Sequence, residues 1–158
     1  MFNHVNIDLP SLNKETIDGV RYYDVPGNAK LVSITSITSW INREIFREWR
    51  ARVGNEQADK VTKAATSRGT DMHTLTEYYL KNEDLPEVQP LSEFLFKQSK
   101  PKLDLIDNIH ALEKSMYSLQ LGIAGTVDCI AEYNGELAII DFKSCLLYTS
   151  PSPRDRYG

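Results

Sequence analysis

Three residues near the end of the chain have types and spacing suited to holding an ion: Asp128, Asp141 and Lys143. Between them lies Asn134-Gly135, the strongest short hairpin signal in the sequence. A two-residue loop there sets Tyr133 opposite Glu136. Counting outward, Ile130 faces Ile139 and Asp128 faces Asp141. Directly opposed side chains have Cβ atoms about 4.5–5.5 Å apart. Lys143 lies two residues past Asp141 and points to the same face. Two carboxylates and one ammonium are thus expected together at the end of an apolar hairpin, beside buried Ile130 and Ile139. At about 5 Å and an effective dielectric near 20, the two acids repel by on the order of 3 kcal/mol. Lys143 relieves part of this, and a hard divalent cation such as Mg²⁺ or Mn²⁺ relieves more. The plainer reading is a solvated edge hairpin whose acids diverge. The depletion of aspartate in strands weighs against it.

Other candidates lie upstream, each with two readings. His73 and Glu77 share a helix face one turn apart, as a ligand and its neighbour or as a simple surface pair. Glu113 joins the site or faces solvent. Arg68 binds phosphate or caps a helix end. Arg43, Arg47 and Arg50 form a basic helical face, either solvated beside Glu44 and Glu48 or touching phosphates. Trp40, Tyr78 and Tyr79 are stacking platforms or core residues. His4 and His110 have no partner pattern.

The elements that must position these groups read as follows. Residues 1–35 look irregular or weakly β, with a short strand at Val20–Val25 closed by Pro26-Gly27 and an extended piece at Leu31–Ile34. Ser36, Thr38 and Ser39 are candidate caps for a helix from about Ser39 to Val53, with Ile41, Ile45, Trp49 and Val53 as its apolar face. Gly54 ends it. A second helix spans Glu56 to Lys81, burying Ala58, Val61, Ala65, Met72, Leu75 and Tyr79. Gly69 inside it marks a close approach of other atoms. A short helix from Leu91 to about Gln98 stops before Pro101. The period then changes to two: strands over Ile109–Tyr117, Thr126–Tyr133 and Glu136–Lys143, with a bend at Gly122 and Gly125. Helices followed by an antiparallel meander give an α+β class.

Composition sets limits. The chain has 158 residues, 41% hydrophobic and 25% charged, as one globular domain does, and carries a net charge of −4. That charge excludes a general nucleic-acid coat but not an enzyme that keeps its cations along one groove. No apolar run reaches the length of a membrane span. The first residues do not read as a signal peptide, so a cytoplasmic location is expected. Cys129 and Cys145 cannot build a zinc or iron–sulfur site unaided, and a disulfide is not expected.

Gly125-Thr126-Val127-Asp128, followed after the turn by Ile139-Ile140-Asp141-Phe142-Lys143, resembles the PD-(D/E)XK nuclease superfamily, and most of all its RecB-like exonuclease branch, which includes phage exonucleases. Arg68-Gly69-Thr70-Asp71-Met72-His73 with the later Glu77 resembles that branch's helical motif. Glu113 resembles the acidic residue on the preceding strand. The resemblance covers about Thr35 to Lys143. It implies a restriction-endonuclease-like α/β core: a central mixed sheet with an antiparallel hairpin, flanked by helices. It implies a Mg²⁺- or Mn²⁺-dependent deoxyribonuclease acting on single-stranded or free-ended DNA, without a membrane partner, in replication, repair or recombination. Asp128, Asp141, His73 and the Phe142 carbonyl would bind the metal. Lys143 would orient the attacking water, Glu113 would assist, and Arg68, Thr70, Arg43 and Arg47 would contact DNA. A catalytically inactive DNA-binding module and a plain structural domain are the alternatives.

The expected division is an N-terminal segment over 1–35, an incomplete nuclease core over 36–143 and a tail over 144–158. The tail has no helical period, where the branch has a helix with Gln and Tyr. It resembles adapter sequence read as coding, and the natural domain is expected to continue differently after Lys143.

Overall fold

The structure is a computed structural model that describes residues 1–27 and 29–144. The tail read from the sequence lies, from Cys145 onward, outside the described residues. The chain is mixed α+β: a six-stranded mixed sheet with helices packed against it.

The first three strands are β1 (Lys14–Ile17), β2 (Val20–Val25) and β3 (Ala29–Ser33), paired antiparallel in that order. The N-terminal region is therefore more regular than its sequence suggested. Asp18-Gly19 makes the β1–β2 turn with φ of +50° and +80°, the pattern of a two-residue primed turn.

Ser33 both ends β3 and caps α1 (Ile34–Ile41), its Oγ accepting from the Thr35 amide at 3.2 Å. The cap is thus upstream of the Ser36, Thr38 and Ser39 expected for it. The single helix expected over Ser39–Val53 is two, α1 and α2 (Arg43–Val53). Asn42 divides them, its side-chain amide donating to the Thr38 carbonyl at 2.9 Å in competition with regular helix continuation. Neither helix has a fully buried residue, and Ile41 is largely exposed.

Helix α3 (Asn55–Leu80) begins at Gly54 and buries Ala58, Leu75, Thr76 and Leu80. Val61 and Ala65, expected inside, are exposed. The first half of α3 lies beside α2, with Arg50 bridging to Asp59, and only its C-terminal half covers the main core.

Helix α4 (Pro90–Leu103) does not stop before Pro101. It runs through the proline and forgoes one backbone bond, because its last turn buries Leu103 beside Phe96. The buried Ser92 hydroxyl donates to Asp71 and ties α4 to α3.

Strands β4 (Ile106–Ser118), β5 (Ile123–Tyr133) and β6 (Glu136–Ile140) form the meander. Tyr133↔Glu136 and Ile130↔Ile139 pair as the hairpin count required, and Asn134-Gly135 takes φ of +52° and +85°. Strand β3 adds to β5 in parallel through Val32↔Ile123 and Ser33↔Ala124. Gly125 lies inside β5 rather than at a bend. The main core joins Leu75, Leu80, Phe96, Leu103, Ile106, Ile109, Leu112, Cys129 and Ala131. A smaller one gathers Leu12, Tyr23, Val25 and Ala124. Among the described residues no helix is long and apolar enough to cross a membrane.

Candidate metal centre

Strand β5 is shared unevenly. Along one edge, β3 pairs with its first two residues and β6 with Cys129–Tyr133, leaving Gly125–Asp128 between the two ladders. On the other edge the β4 ladder runs past, with Leu112↔Cys129 and Lys114↔Val127 as successive rungs. Glu113 falls between those rungs with φ of +51°, an uncommon conformation for a residue with a side chain. Asp128 and Glu113 are therefore neighbours through the sheet. His73 arrives from α3.

Each ring nitrogen of His73 faces a different acid. Nδ1 lies 3.4 Å from Glu113 Oε1, and Nε2 lies 3.8 Å from Asp128 Oδ2. One ligand atom from each of the three residues falls within 4.8 Å of the others. A neutral imidazole donates from one nitrogen only, so it does not satisfy both acids at once. The Asp128 side chain is 14% exposed, and its Oδ2 accepts the Phe142 amide at 2.8 Å. The Phe142 ring meets His73 edge to face at 6.3 Å and packs on the main core. Burial pushes the Glu113 carboxyl above its ordinary range, reinforced by the charges of Asp128 and Glu77 and opposed by the His73 hydrogen bond. Burial likewise holds the Cys129 thiol up to about 11, so it packs as a small apolar group beside the acids.

Asp141 and Lys143 lie just past β6. The last rung is Cys129↔Ile140, so the expected opposition of Asp128 and Asp141 falls one position beyond the ladder. The two are linked instead through Phe142, whose amide reaches Asp128. Lys143 Nζ holds the Asp141 carboxylate at 2.6–2.7 Å, and both side chains are 60% exposed. The hairpin is also less apolar on that side than expected: Ile139 is 78% exposed, and the buried neighbours of Asp128 along the chain are Cys129 and Ala131.

Arg68 sits on α3 with its Nε buried and without a hydrogen-bond partner among the described residues. At Gly69, an added Cβ would lie 3.8 Å from Ser144 Oγ, so this turn of α3 lies against the segment leaving Lys143. Thr70 is exposed. Arg43 and Arg47 both engage Glu44, at 3.7 and 2.6 Å, while Arg50 pairs with Asp59. Glu77 pairs with Lys81, and Tyr79 donates to Asp104 at 2.6 Å within the fold. Trp40 is 68% exposed.

One group had no signal in the sequence. Lys14 Nζ donates to Thr126 Oγ1 at 3.0 Å, and the Tyr23 hydroxyl lies 3.1 Å from the same oxygen. Lys14 and Thr126 are 112 residues apart, so no local spacing announces the contact.

Comparison with known protein families and with curated proteins finds no match.

Proposed function

We propose that this chain is a divalent-metal-dependent deoxyribonuclease of the PD-(D/E)XK type, hydrolysing phosphodiester bonds from free ends of DNA. The observation that carries the reading is the meeting of His73, Glu113 and Asp128 where β5 is open on one edge, with the Phe142 amide bonded to Asp128 between the paired Asp141 and Lys143. The order of these residues along the chain resembles the motifs of the RecB-like branch, and exonucleolytic action and a restriction-endonuclease-like core are proposed on that resemblance.

The donor set fits a metal. One imidazole nitrogen and two carboxylates suit Mn²⁺ well and Mg²⁺ acceptably. The raised Glu113 carboxyl and the two acids crowded on one imidazole are also relieved by a cation. Such an ion, once bound, supplies Lewis acidity and a more acidic water. The chain's own groups do the rest. His73, Glu113 and Asp128 hold the site, and Phe142 fixes Asp128 through its amide. Lys143 offers an ammonium that stabilises negative charge developing on the phosphate and orients water, with Asp141 holding it in place. Arg68, its Nε buried, would offer the terminal nitrogens of its guanidinium to a phosphate oxygen.

The test is cleavage of end-labelled single-stranded, linear duplex and closed circular DNA in Mn²⁺, Mg²⁺ or chelator. Wild type should degrade the molecules with ends, and only with metal. Asp128→Asn and Lys143→Ala should each lower kcat by about 10²–10³-fold. Mn²⁺ should raise the Tm of wild type, because an ion that binds only the folded state stabilises it. Absence of both cleavage and a Tm rise overturns the reading. DNA binding without cleavage makes the chain a binding module instead.

A further inference from the structure

We propose that Lys14 binds the phosphate next to the one attacked, making the β1–β3 unit the substrate-holding wing of the site; this rests on the nuclease reading above. The geometry begins at Thr126. Thr126 and Asp128 are two residues apart on β5, about 7 Å along the strand at 3.3–3.4 Å per residue. Lys14 reaches across from β1 to Thr126 Oγ1 at 3.0 Å, and its ammonium stands 5.5 Å from the centre of the Tyr23 ring. Tyr23 is 2% exposed and anchored in the smaller core, and its hydroxyl engages the same threonine oxygen. The ammonium is therefore held at a fixed place, against a residue of β5 two positions before Asp128.

Its charge is also available. Among the described residues Lys30 is bound by Glu15 and Asp24, Lys60 by Glu56, Lys81 by Glu77, Lys97 by Glu93 and Lys143 by Asp141. No carboxylate among them pairs with Lys14. An ammonium has three donors, and the threonine takes one. Two remain for phosphate oxygens on an exposed side chain. A chain of net charge −4 needs such local cations to hold a polyanion beside its acids.

The experiment compares wild type, Lys14→Gln and Lys14→Arg on a labelled single-stranded oligonucleotide in Mn²⁺ across a salt series. Lys14→Gln should raise KM about tenfold, the cost of one charged hydrogen-bonded contact, and change kcat less. Its log–log salt slope should fall by about 0.7, one phosphate contact on a single strand. Lys14→Arg should restore most of the affinity. The rise in Tm on adding Mn²⁺ should be the same in all three. A Lys14→Gln chain that cleaves with wild-type KM and salt slope overturns the role of Lys14 and leaves the nuclease standing. Wild type that neither cleaves nor gains Tm from Mn²⁺ overturns both.

Discussion

His73 stands between two acids, and its neighbour Glu113 shows what that arrangement does to a single group. Burial raises the Glu113 carboxyl above its ordinary value of 4.5. The folded chain then binds more protons there than the unfolded chain. Stability from this group is full below about 4.5 and is lost as pH rises through the raised value. Melting without metal should therefore show a falling contribution across that window, and Glu113→Gln should flatten it. Added Mn²⁺ should reverse the trend, its effect on Tm growing with pH as the proton leaves. An equal Mn²⁺ effect at all pH values would place Glu113 outside the centre.

At the scale of elements, the site depends on α1 starting immediately after β3. Ser33 makes this possible by ending the strand and capping the helix. The first helical residue, Ile34, then lies over Gly125: an added Cβ would come 2.9 Å from Ile34 Cγ2. That methyl belongs to a β-branched side chain with few alternative rotamers. Gly125→Ala should cost about 1–3 kcal/mol in denaturant unfolding, as overpacking does. Full stability in that variant would mean that α1 is free to shift off β5. The periodicity of α3 was legible over Leu75 and Met72 because a helix covering a core must repeat at that spacing. It misled over Val61 and Ala65, since an apolar residue on a helix does not say whether a partner reaches it.

Across the whole molecule, the N-terminus closes the structure over a long sequence distance. Asn3 and Val5 trade backbone bonds with Ile109, each at 2.8 Å, where β4 carries extra residues. Phe2 packs on Tyr79 edge to face at 5.1 Å. Asn82 clasps the Phe2 peptide from both sides, at 2.7 and 3.0 Å, and His4 Nε2 meets the Leu80 carbonyl at 2.7 Å. Together these fasten the end of the helix that carries His73. Asn82→Ala should cost about 1–3 kcal/mol, two hydrogen bonds' worth. It should also speed amide exchange at Val5 and Ile109. Unchanged exchange there would show the strap holding without Asn82.

What the sequence determined was local: the Asn134-Gly135 turn, the register of β5 against β6, the helix–strand order, and the identities of Asp128, Glu113 and His73 as candidates. Short-range periodicity and turn chemistry govern the turn, the register and the place of Asp128, whereas His73 and Glu113 stood out only through the family resemblance. Tertiary structure alone decided that β3 joins β5 in parallel, that Asp128 meets His73 and Glu113, and that Lys14 reaches Thr126. Those depend on which surfaces pack, and packing is settled by burial across the whole chain rather than by any stretch of it.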